Sequence, residues 1–162
     1  MSLQHILAGQ LAAPEADEAA AVPLPSGEGL TRVFVRDLVL EGAIGVHPHE
    51  RARPQRIRFE VELAVRLAPG GPKADQLGEV VSYEDVVGRI RALLAEGHVN
   101  LCETLAERIA RRELEDPRVA AARIRVEKLD VYPGAAVGVE ILRRARPAAA
   151  GGPPLLRVLG AG

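Results

Sequence analysis

Lys128 is the residue of this chain whose type and position most clearly call for chemistry. Of 21 basic side chains only Lys73 and Lys128 are lysines, so arginine carries the ordinary positive charge. Arginine keeps its proton in a protein, whereas a lysine tuned by its surroundings can serve as an acid or base near neutral pH. In residues 123–131, RIRVEKLDV, Ile124 and Val126 share one face at period two and Lys128 continues that apolar face, while Arg123, Arg125 and Glu127 share the other. An inward amine is expensive unless something uses it. The same pattern also fits a lysine at a strand end, its stem on apolar surface and its ammonium in water.

Four more residues can contribute. Glu50 lies in a polar loop, GAIGVHPHERARPQ, with His47, His49 and Gln55. Taken alone it is a solvated acid. Glu103 falls in a helical first turn, where it either completes a capping box with Asn100 or presents an ionised carboxylate favoured by the helix dipole. Tyr83 is an amphipathic first-turn residue with a hydroxyl to offer. Cys102 reads as a small buried group, and as the only cysteine it excludes an internal disulfide and a multi-cysteine zinc site. His47, His49, Glu50 and His98 are of zinc-ligand type, but Pro48 separates the first two and no third ligand clusters with them. No metal is expected.

These residues need elements to hold them. Residues 32–40, RVFVRDLVL, suit a strand with both faces at least partly covered. Residues 56–67 alternate Ile57, Phe59, Val61, Leu63, Val65 and Leu67 with largely charged residues, a strand with one buried face. Ser82 with Asp85 opens a helix whose stripe is Val86, Val87, Ile90, Leu93 and Leu94 and which Gly97 stops. Asn100 with Glu103 opens another, through Leu101, Leu105 and Ile109, which Asp116-Pro117 ends. The Lys128 strand and a last strand over residues 136–144 complete a ββααββ order. The expected fold is α+β, a four-stranded antiparallel sheet with two helices on one face. Its two open edges and its charged face invite pairing between identical chains.

A chain of 162 residues with net charge −1 suits one domain and advertises no nucleic acid or anionic membrane. Four aromatic side chains, Phe34, Phe59, Tyr83 and Tyr132, make no stacking platform for single strands. No apolar run reaches the roughly 18 residues of a membrane span. Residues 1–30 and 145–162 lack periodicity and read as tails around a domain over residues 31–144; the early apolar patch lacks the lead-in and length of a secretory signal. A reducing cytoplasm fits the single cysteine.

IGVHPHERARPQ, VVSYEDV, HVNLCETLAERIA and VEKLDV followed by VGVEI, in that order and on those elements, resemble the dihydroneopterin aldolase family of the folate pathway. The resemblance covers residues 32–144. It implies the tunnelling fold, in which ββααββ subunits close into barrels that stack, usually as octamers, with sites between neighbours. It also implies retro-aldol cleavage of 7,8-dihydroneopterin without cofactor, metal or Schiff base. Carried over, Glu103 anchors the pterin, whose amino group and ring N–H form a fork that one carboxylate accepts. The Cys102 backbone lines the pocket, Lys128 moves protons through water, Glu50 binds the trihydroxypropyl side chain from the adjacent subunit, and Tyr83 contacts that side chain and relays protons. Leu129 stands where many family members have proline, and the segment before VGVEI is short. Lys followed by Leu is similar to the sister dihydroneopterin triphosphate epimerase, which leaves epimerisation, and a triphosphate served by Arg51, Arg53 and Arg56, as the alternative. A zinc-dependent pterin enzyme and a non-catalytic pterin-binding subunit are the remaining rivals.

Overall fold

The computed structural model describes residues 23–146. Residues 1–22 and 147–162, which hold most of both expected tails, lie outside the described residues. The elements are β1 (Leu30–Gly42), α1 (Pro48–Arg51), β2 (Gln55–Arg66), a 3-10 turn (Leu77–Glu79), α2 (Tyr83–Ala95), α3 (Cys102–Glu113), β3 (Val119–Tyr132) and β4 (Ala135–Arg144). The strands form one antiparallel sheet in the order β1-β2-β3-β4. The expected ββααββ architecture is therefore present. One helical turn, α1, appears where only a loop was expected: Pro48 sits at its start, where a missing N–H is harmless.

One face of the sheet carries the core. Ile57, Phe59, Val61, Leu63 and Val65 of β2 and Ile124 and Val126 of β3 are fully buried. Against them pack Val86, Ile90 and Leu93 of α2 and Leu105, Ala106, Ile109 and Ala110 of α3. Each large side chain so removed from water contributes about 1.5–3 kcal/mol before conformational entropy is set against it. The other face is charged, and register makes its charges complementary. Arg58 lies opposite Glu127, Glu62 opposite Arg123, and Arg125 opposite Glu140. Their ion pairs measure 2.8, 3.1 and 2.7 Å. Cross-strand pairs of this kind contribute roughly 0.2–1 kcal/mol each.

Four expectations need correction. β1 was read as at least partly covered on both faces, but on its outer face Phe34 and Val39 are 51% and 46% exposed in the protomer. A one-residue bulge between Val35 and Leu38, with Asp37 at φ 53°, lets Val33, Val35, Leu38 and Leu40 all pack on the core side while their neighbours face outward. Leu24, inside the segment read as tail, is buried against Ala64 and Ala121. Ser82 caps α2 through the Glu84 N–H at 3.1 Å, one residue earlier than a capping box with Asp85 requires. At α3 the N-cap is Leu101, without a side-chain cap, and the Asn100 side chain instead accepts from Arg51 at 2.8 Å. The capping box assigned to Asn100 and Glu103 does not form, so the Glu103 carboxylate is not spent on its own helix.

Candidate functional site

The site grows from the chain between β1 and β2. Ile44 is fully buried and makes a parallel bridge with Val99, so this loop is pinned to the turn joining α2 and α3. Gly45 follows at φ +131°, a conformation side chains rarely adopt. A Cβ there would overlap the Glu50 carboxyl, so glycine is required on two counts. The chain then turns through α1, which delivers Glu50 back over Gly45 and buries it to 7% exposure.

Three donors meet that carboxylate. Lys128 Nζ lies 2.7 Å from Glu50 Oε1, the His47 N–H donates to Oε2 at 3.1 Å, and Gln55 Nε2 donates to Oε1 at 3.3 Å. Gln55 also donates to the Ile44 carbonyl at 2.6 Å, which ties the start of β2 to the loop. The Lys128 hydrogen bond, opposed by burial and helped by His47 and Gln55, lowers the Glu50 carboxyl from its usual 4.5 to about 2. Glu50 is a carboxylate at any ordinary pH.

Lys128 projects from the helix-facing side of β3, opposite Ile57 of β2 and Val137 of β4, as the alternation requires. Its side chain is 15% exposed. The β3–β4 ladder breaks just after it, between Lys128 and Tyr132. Asp130 anchors the irregular stretch by accepting from the Arg56 backbone at 2.8 Å and from its guanidinium at 2.6 and 3.0 Å. That guanidinium holds the Asp130 carboxyl below its usual range.

In front of Lys128 is a cleft of about 260 Å³. Val46, Leu101, Val131, Val137 and Val139 make its apolar walls, and Glu50, Cys102, Glu103 and Lys128 supply its functional groups. Gly138 in the same wall passes so close to the Val126 carbonyl that a Cβ would collide with it. Cys102 is buried, and burial pushes its thiol up, away from a reactive thiolate. Glu103 is exposed at the cleft and makes no hydrogen bond or ion pair among the described residues. An apolar slot with a fixed carboxylate–amine pair at one end and an unspent carboxylate in its lining suits a flat heterocycle with a polar substituent. A second cleft, of about 700 Å³, lies beyond Glu50 and includes His49, Arg53, Arg56 and Tyr132.

Glu50, Cys102, Glu103 and Lys128 are thus brought together within one protomer. Glu50 was expected to bind the substrate side chain from an adjacent subunit; in the protomer it lies 2.7 Å from Lys128 of its own chain. Tyr83 is not brought in: it is 63% exposed on the first turn of α2 and does not line the cleft. Of the three arginines considered for a triphosphate, Arg51 is engaged by Asn100 and Arg56 by Asp130. His47 and His49 stack on each other, ring centroids 5.5 Å apart, and no group of three or more His, Cys, Asp or Glu among the described residues could hold a metal. The sequence marks Gln55 only as a member of the polar loop and gives no part to Gly45; the one available signal is a glycine and an amide bracketing an acid within that loop.

Known proteins match this chain in sequence and fold. The dihydroneopterin aldolase family model matches residues 33–142. A dihydroneopterin aldolase of Streptomyces coelicolor is 35% identical over 101 residues, 62% of this chain and 84% of that protein. Among solved structures, a Burkholderia dihydroneopterin aldolase bound to guanine superposes with TM-score 0.63 at 37% identity, covering 72% of this chain and 92% of that one. The Escherichia coli dihydroneopterin aldolase in complex with neopterin gives TM-score 0.64 at 28% identity, over 70% and 98%. No helix among the described residues is long and apolar enough to cross a membrane.

Proposed function

The chain belongs to the dihydroneopterin aldolase family, and from that premise we propose that the cleft before Lys128 cleaves 7,8-dihydroneopterin into 6-hydroxymethyl-7,8-dihydropterin and glycolaldehyde, a lyase step of folate synthesis. The observation that carries this reading is the part-buried Glu50–Lys128 pair, 2.7 Å apart, at the end of an apolar slot that Glu103 also lines.

Glu103 takes the pterin's amino group and ring N–H side by side. The substituent then lies toward Lys128 and Glu50. A base removes the proton from the second side-chain hydroxyl, the bond between the first and second side-chain carbons breaks, and its electrons enter the ring imine next to the side chain. Glycolaldehyde leaves, and a proton is returned to the first carbon. The ring is the electron sink, so the reading requires no metal, cofactor or Schiff base. Lys128 moves both protons through ordered water, and Glu50 holds the side-chain hydroxyls and the amine in one frame. Re-addition of the aldehyde to the opposite face gives 7,8-dihydromonapterin, an epimerisation expected as a minor side reaction.

The exposed Tyr83 and the open edges β1 and β4 fit a homo-oligomer, an octamer of stacked barrels, in which Tyr83 serves the cleft of a neighbouring copy. Phe34 and Val39, exposed on an edge strand, fit burial by such a neighbour. The reading assigns a cytoplasmic location, in keeping with a single free cysteine.

Incubation with 7,8-dihydroneopterin, followed by separation of the pterins and an aldehyde assay, is the direct test. Equimolar hydroxymethyldihydropterin and glycolaldehyde are expected. Binding without glycolaldehyde release would reject the aldolase assignment, and dihydromonapterin as the main product would replace it by epimerase.

A further inference from the structure

His98 sits between α2 and α3, and its ring nitrogen Nε2 lies 2.7 Å from the Gly45 carbonyl oxygen. The N–H side of Gly45 is held by the backbone: Gly45 donates to the Val99 carbonyl at 2.9 Å, and Val99 donates to Ala43 at 2.9 Å. The carbonyl side rests on His98. That carbonyl begins the peptide leading through Val46 to His47, whose N–H binds Glu50, and the Glu50 carboxyl lies directly on the Gly45 Cα.

We propose that His98 is a positioning residue for the Glu50 carboxylate, acting through the Gly45 carbonyl. The inference rests on the aldolase reading only for its kinetic arm. With the Nε2–H donating, the Gly45–Val46 peptide is held in orientation; this fixes the floor beneath Glu50 and one side of Val46, and Val46 leads into the peptide whose His47 N–H binds the carboxylate. His98 does not line the cleft. Its effect is on the placement of the group that pairs with Lys128, while Glu103, across the cleft on α3, keeps its hold on the ring.

Two substitutions separate this from a generic tie between a turn and a loop. The glutamine amide nitrogen stands as many bonds from Cα as the imidazole Nε2, so His98→Gln can restore the donor; the asparagine amide nitrogen stands one bond closer and cannot. Loss of placement near a reacting group lowers turnover by roughly 10- to 100-fold. Steady-state kinetics on the full chain with 7,8-dihydroneopterin should show kcat reduced to that extent in His98→Ala and His98→Asn, KM within about twofold, and kcat largely recovered in His98→Gln. Independently of activity, the carbon-13 signal of the Glu50 carboxyl should titrate higher in His98→Ala than in the wild type and return in His98→Gln. Unchanged kcat in His98→Ala, equal impairment of the glutamine and asparagine variants, or an unmoved Glu50 titration overturns the inference. A wild-type protein that leaves dihydroneopterin uncleaved overturns the functional reading instead, and the Glu50 titration then decides the role of His98 alone.

Discussion

Replacing Glu50 by glutamine keeps the size of the side chain and removes its charge, leaving the Lys128 ammonium 15% exposed and without its anion. A hydrogen bond between charged groups contributes about 1.5–3 kcal/mol, and an unpaired buried charge adds a penalty. A second route gives a similar figure. A carboxyl held at about 2 rather than 4.5 is stabilised on folding by roughly 3 kcal/mol at 1.36 kcal/mol per pH unit. The sign follows from the direction: because the folded carboxyl is the stronger acid, its contribution is complete above its ordinary value and disappears as pH falls toward 2. About a quarter should be gone by pH 4 and more than half by pH 3. Urea unfolding of wild type and Glu50→Gln at fixed protein concentration, at pH 7, 4 and 3, measures the difference. A gap of about 2–3 kcal/mol at pH 7 that narrows steadily on acidification is expected. No gap at pH 7, or one that does not change with pH, would refute the claim that this ion pair anchors the site.

Lys128→Ala should lower kcat by at least about a hundredfold, the range of a lost acid–base group, while dihydropterin affinity measured by fluorescence titration stays within a few fold; undiminished turnover would reject its role. Glu103→Ala should weaken pterin binding by roughly 10- to 100-fold through loss of two charge-assisted hydrogen bonds, with unchanged affinity the contrary result. Glu113 is fully buried, with Oε1 unpartnered and Oε2 on Arg89 at 2.7 Å, and burial raises its carboxyl. Here the sign is opposite: the folded group resists ionising, so it weakens the fold at neutral pH and ceases to do so in acid. Glu113→Gln should therefore raise stability at pH 7, with the gain shrinking as the pH falls toward the ordinary carboxylate range, read by urea unfolding; a loss at pH 7 would show that the Arg89 pair outweighs desolvation.

The alternations of residues 56–67 and 123–131, the helical stripes, and the inward parity of Lys128 were all legible in the sequence, because each is decided by neighbours a few positions away and by the geometry of one element. The motifs in register with those elements also indicated Glu50, Cys102 and Glu103 as companions of Lys128. Which groups finally touch was decided by tertiary structure. Glu50 reaches Lys128 from 78 residues away because one extra helical turn, a left-handed glycine and the bridge between Ile44 and Val99 aim it there. The competing cap between Asn100 and Glu103 was lost to an arginine 49 residues from Asn100. Tyr83, three residues before Val86 and seven before Ile90, shares their helical face by periodicity, yet at the first turn of α2 it stands exposed. Local pattern encodes which face a side chain takes; only the closed loops and packed layers determine what it meets there.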